Sequence, residues 1–169
     1  MNDLKDRATE LLNERLGWLA DQVRENHVQA GQVASGKLRD SIQAFVEDQG
    51  ERVVGHVDAL PYIEAMEQGN PPWDPIPTKQ AGDGHTYDYV PQWFANAIGR
   101  WMADKGIPET KERNRWNVAW GIIHHGTLLY RQGGRSDIYS DITKEVAEQI
   151  ADELASIASI TIETITLNL

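Results

Sequence analysis

The chain has no cysteine among its 169 residues, so disulfides and thiolate metal sites are closed to it and nothing points to an oxidising compartment. No stretch approaches the 18 or so consecutive apolar residues that a bilayer-spanning helix needs. The opening segment, MNDLKDRATELLNERLGW, carries charges throughout and lacks an apolar centre, so it does not read as a secretory signal. A soluble chain, intracellular at synthesis and without a membrane partner, is expected. Positive charge is scarce as well: 16 Lys and Arg stand against 26 Asp and Glu, for a formal net charge of −10. Phosphate contacts supply most of a nucleic-acid binder's affinity, so this balance argues against tight DNA binding. It suits a protein lining a path that DNA passes through, where repulsion keeps the duplex from sticking.

Catalytic signatures are also missing. His124 and His125 are adjacent, so on a helix they point about 100° apart and cannot chelate one ion as an i, i+4 pair could. Asp83, His85 and Asp88 are side chains of the types that hold a divalent cation, but the further ligand positions of a calcium loop are absent, and loop polarity accounts for them more simply. Glu64 and Glu67 have no base, nucleophile or oxyanion donor beside them. No catalytic residue, metal ligand or cofactor is expected.

What is present reads as one α+β domain over residues 1–169, with amphipathic helices packed on a small, mainly antiparallel sheet. Leu4, Ala8, Leu11, Leu12, Leu16, Leu19 and Val23 predict an amphipathic N-terminal helix within residues 1–28. Leu38, Ile42, Ala44 and Val46 alternate with Arg39, Ser41, Gln43 and Phe45 and predict a strand; Asp48-Gln49-Gly50 turns it into a valine-rich second strand over residues 52–58. Five of the seven prolines lie between Pro61 and Pro77, and residues 69–90 read as a long loop. A helix opening at Pro91 and closing at Gly106, and another over residues 110–125 capped by Gly126, follow. Ile138, Ile142, Val146, Ile150 and Leu154 step by four and predict a last helix over residues 137–158. The β-branched tail, residues 159–169 with Ile160, Ile162 and Ile165, reads as a terminal strand that pairs within the sheet or extends another subunit's.

Six tryptophans are many for this length. Those on helices are expected in the core, while Trp73, between Pro72 and Asp74, is a candidate contact anchor. Charge is uneven too. Residues 99–135 hold seven basic side chains against three acidic ones, leaving −14 on the remainder, whereas residues 137–154 carry six acids against Lys144 alone. Arg113 and Arg115 on the first surface, and Asp141, Glu145 and Glu148 on the second, are candidate contacts between neighbouring copies.

In order along the chain stand Gly36, Leu38, Arg39 and Ser41 before the expected hairpin, then Tyr62, Glu67 and Gly69 after it. Ala119, Gly126 and Thr127 close the following helix, with His125 before the glycine. This ordered set resembles the tail-component family of long-tailed bacteriophages related to minor tail protein Z, in which a lysine commonly occupies the position of His125. The resemblance spans about residues 35–155. It implies a structural virion protein of the neck, a ring of six copies binding a head connector or stopper protein on one side and a tail tube or tail terminator on the other, with DNA only as passing cargo. Two other functions compete: a small metal-dependent hydrolase using Asp83, His85 and Asp88, and an acidic host-directed interaction protein.

Overall fold

Leu16, Leu19, Val23 and His27 recur every three or four residues and are all buried, with Leu11 and Ala20 buried besides, which gives helix α1 (Asn2–Gln29) its inward face. At 28 residues it is about 42 Å long. In chain order there follow α2 (Lys37–Ser41), β1 (Gln43–Asp48), β2 (Val53–Asp58), a 3₁₀ turn at Pro61–Ile63 and α3 (Glu64–Gln68). Next come β3 (Thr78–Gln80), β4 (Thr86–Asp88), α4 (Gln92–Asp104), α5 (Arg115–His125), α6 (Leu128–Arg131) and α7 (Ser140–Leu167). The computed structural model describes residues 2–167 and the side chains of residues 3–158. The fold is α+β, with two antiparallel sheets of two strands each among the described residues.

The chain packs as two compact units. The first is drawn from within Met1–Gln32, Lys37–Pro61 and Ser136–Leu169; the second comprises Val33–Gly36 and Tyr62–Arg135. No linker composition marks the junctions, and the sequence offered no boundary there.

In the first unit α1 packs against α7 and against both strands of the β1–β2 hairpin. Gly55 on β2 makes the close approach possible: a Cβ there would strike the end of the buried Leu16 side chain. Ile42, Leu38, Ile138 and Val146 complete the core, each 5% exposed or less. Burying each such side chain contributes about 1.5–3 kcal/mol. Polar ties fix the register: Arg15 meets Glu153 at 2.6 Å, and Asn26 Nδ2 donates to the Ile138 carbonyl at 3.2 Å. Lys5 reaches the hairpin turn, 2.6 Å from Asp48 and 3.0 Å from the Gly50 carbonyl. Its hydrogen bond, with a second from the Gly50 N–H, holds the Asp48 carboxyl below the ordinary aspartate value. Across the hairpin Phe45 pairs with His56, rings stacked at 4.8 Å.

Three expectations are corrected. Residues 38–41 belong to the single helical turn α2 rather than to the first strand, with the Ser41 hydroxyl donating to the Leu38 carbonyl; the strand starts at Gln43. The helix expected from Thr110 starts at Arg115, because the Thr110 and Asn114 side chains take the backbone N–H groups of Arg113, Trp116 and Asn117. The terminal strand over residues 159–169 is not formed: α7 runs on to Leu167, and the last two residues lie outside the described chain. Extending a helix already five turns long adds a hydrogen bond for every residue fixed, and this outweighs the modest helix penalty of isoleucine and threonine. Ile160, Ile162 and Ile165 therefore lie on helical backbone, and strand pairing with another subunit has no strand to act through.

Candidate interaction surface

In the second unit, two chain segments far apart in sequence are clasped backbone to backbone. The Thr127 N–H donates to the Asn70 carbonyl at 2.9 Å, and the Asn70 N–H donates to the Thr127 hydroxyl at 2.9 Å. The same hydroxyl caps α6 by accepting from the Tyr130 N–H at 3.4 Å. To either side, Arg135 N donates to the carbonyl of Glu67 at 2.8 Å and Trp73 N to that of Ile123 at 2.9 Å. Glycine is required at both centres of the clasp. Gly69 (φ +71°) and Gly126 (φ +73°) are buried and left-handed. A Cβ on Gly69 would collide with the Tyr130 N and lie 2.6 Å from Thr127 Oγ1; one on Gly126 would lie 2.7 Å from the Asn70 carbonyl oxygen.

Gly69, Gly126 and Thr127, three of the positions singled out in the sequence, thus meet, while Glu67, buried at 2% exposure, gives its carbonyl to Arg135 N. Tyr62 is exposed in the 3₁₀ turn. In the first unit Leu38 is buried and Ser41 accepts from the Leu60 N–H at 3.1 Å, while Arg39 pairs with Asp40. Gly36 is buried and left-handed, φ +80°.

Helices α4 and α5 pack on each other through buried Ala95, Met102, Ala119 and Ile123. Small residues let the backbones approach, and Gly99 is part of this: the Arg115 guanidinium lies where a Cβ would sit, 2.9 Å away. Arg115 is in turn held by Glu109, with Nε at 2.8 Å and Nη2 at 2.5 Å from Oε1. Arg115 is therefore committed within its own chain, while Arg113 stands exposed with its side chain toward solvent. These hydrogen bonds lower the Glu109 carboxyl below its ordinary value of 4.5 and raise Arg115. A depressed carboxylate contributes stability that is complete above the unfolded value and is lost as pH falls through the folded one. The gap in melting temperature between the wild type and Glu109→Gln should accordingly be constant near neutrality and close below about pH 4. A gap that persists unchanged at pH 3 would contradict this role.

The tryptophans reverse the expectation that helical indoles are core. Trp93 is 64% exposed, and Trp18, Trp101, Trp116 and Trp120 are 40–43% exposed. Trp73 is half-buried instead, its ring 4.8 Å from Phe94 and 5.8 Å from Trp93. On α4 Ala95 and Met102 take the inward face and Trp93 and Trp101 fall outside it, whereas on α5 Trp116 and Trp120 flank the face of Ala119 and Ile123 and lie half exposed at its edge.

The long loop at residues 69–90 contains a small hairpin, β3 with β4, closed where Ala81 N donates to the His85 carbonyl. Asp83 accepts from the His85 N–H at 3.0 Å and so serves the turn, while Asp88 lies 3.6 Å from His124, which stacks on Trp120 at 4.1 Å. Among the described residues no three His, Asp or Glu side chains converge as a metal site would need. No helix among them is long and apolar enough to cross a membrane. On α7, Asp141, Glu145 and Glu148 are all exposed; Asp141 accepts from Ser136 and Glu145 from Gln149. No protein-family model, curated protein or solved structure matches the chain.

Proposed function

We propose that this chain is a structural protein of a bacteriophage neck, a tail-completion component that assembles with its own copies into a ring between the head connector and the tail tube. The clasp carries the proposal. Gly69, Gly126 and Thr127 belong to the ordered set that resembles the tail-component family, and they form one device in which glycine and a hydroxyl side chain are required. Positions nearly sixty apart in that set meet in space, which supports reading them as parts of one structural device. Four exposed tryptophans on one helix pair support an assembly role, since exposed indoles cost solvation and are enriched where proteins meet. The net charge of −10 keeps a ring of such subunits from retaining the DNA that passes through it.

Light scattering after size exclusion tests the proposal. Six copies of a 19.0 kDa chain are expected to elute as one particle, with annular images in negative stain. A monomer at tens of micromolar that forms no annulus would remove the ring.

A further inference from the structure

The surroundings of the exposed tryptophans and the outer face of α7 are opposite in charge. From Gln92 to Gly126 the chain holds five basic and three acidic residues, and Glu109 is already taken by Arg115. Trp93 and Trp101 lie eight residues apart on α4 and Trp116 and Trp120 four apart on α5, so each pair shares a helical face. Arg100 and Arg113 are exposed, each next to or a few residues from these indoles. The two helices thus present exposed aromatic and basic side chains within a chain that is otherwise strongly acidic.

The outward side of α7 is its opposite. Asp141, Glu145, Glu148 and Asp152 follow a 4-3-4 spacing and form one exposed stripe, and none of the four makes a salt bridge among the described residues. Ala147, Ala151 and Ala155, also exposed and four apart, run alongside. A row of alanines is a flat surface onto which indole rings can settle, with carboxylates at its edge to meet guanidinium groups.

We propose that the tryptophan face of α4 and α5 is a seat for the acidic, alanine-lined stripe of α7 of a second copy of this chain. The inference rests on the ring assembly proposed above and names the two surfaces that build it. Seat and stripe belong to different units of the fold, so the contact is heterologous: each copy that fills a neighbour's seat leaves its own open for the next. The indoles supply the holding contact, and the charges set partner orientation and encounter rate.

A mixing experiment tests this in the full-length protein. Variant S carries Arg100→Glu and Arg113→Glu, which spoils the seat; variant T carries Glu145→Lys and Glu148→Lys, which spoils the stripe. All four positions are exposed, and unchanged melting would establish that both variants fold. Each alone should be monomeric at concentrations where the wild type forms rings. Mixed in equal amounts they should assemble again, because the seat of T then meets the stripe of S and the Glu-bearing seat of S meets the Lys-bearing stripe of T, each junction pairing opposite charges. In a separate variant, Trp101→Ala with Trp116→Ala should raise the concentration needed for assembly at least about tenfold. Rings that persist in S or T alone would overturn the assignment of surfaces while leaving the ring intact. A wild type that never assembles would overturn both. Monomers from the S and T mixture would show that seat and stripe do not meet.

Discussion

Replacing Gly126 by alanine should destabilise the protein by about 3 kcal/mol or more, well above the typical effect of a single substitution. Two costs combine. The left-handed backbone (φ +73°) is unfavourable for any residue with a Cβ, by roughly 1–2 kcal/mol. The new methyl would also press on the Asn70 carbonyl oxygen at 2.7 Å and on Tyr130 Cδ1 at 2.8 Å. Relief requires the Asn70 carbonyl to retreat from the Thr127 N–H, giving up a hydrogen bond worth about 0.5–1.5 kcal/mol. Gly69→Ala should behave alike, since the Tyr130 backbone nitrogen occupies the space its Cβ would need. Gly133 is the control. Its φ is +88°, yet nothing lies within 4 Å of a Cβ there, so Gly133→Ala should show the conformational cost alone, roughly 1–2 kcal/mol. Urea midpoints measured side by side decide the matter: a Gly126→Ala protein no weaker than Gly133→Ala would mean that the clasp is slack.

Half of that clasp was legible in the sequence. Gly126 after an apolar helix signals a C-terminal cap, whereas the short helix that Thr127 caps, Leu128–Arg131, emerged only in the structure. What the order of residues does not carry is the partner: nothing local to Gly69-Asn70 reveals that it will bond a segment 57 positions away. The long helices were legible for the same reason that they are stable. Leu11 to His27 and Ile138 to Leu154 keep helical spacing over several turns, and a pattern that long has few alternatives. Beyond Ala158 the pattern changes to alternating isoleucine and threonine, and the strand preference of those residues is a weaker force than continuation of an existing helix.

The tryptophans were misjudged for a different reason. An apolar residue on a helix is expected inward only while the inward face has room; on α4 that face is filled by Ala95 and Met102, and on α5 Ala119 and Ile123 take its centre and leave Trp116 and Trp120 at its edge. Which of two apolar rows faces the partner helix depends on how closely the backbones approach, and Gly99 under the Arg115 guanidinium sets that approach. The β3–β4 hairpin was hidden as well. Thr-Lys-Gln and Thr-Tyr-Asp are short and polar, without the alternation that marks a half-buried strand.

Substituting Ile123 should separate folding from association. Its side chain is wholly buried between α5 and α4, and its carbonyl accepts the Trp73 N–H at 2.9 Å, so the site is enclosed by helix on one side and by the proline-rich segment on the other. Ile123→Val should cost about 0.5–1.5 kcal/mol and Ile123→Ala about 2–5 kcal/mol, the second larger because a packed site cannot fully collapse around the space left. Arg113→Glu, exposed and outside the core, should alter stability by only about 0.5 kcal/mol. Association should follow the reverse order. Below its melting temperature Ile123→Ala still presents the outward indoles and should assemble at near wild-type concentration, whereas Arg113→Glu should raise that concentration, most of all at low salt where charge pairs are least screened. Denaturant midpoints and light-scattering mass, measured on the same three proteins, give two rankings. If both run in the same order, the α4–α5 pair contributes to assembly only by staying folded, and its tryptophans need another explanation.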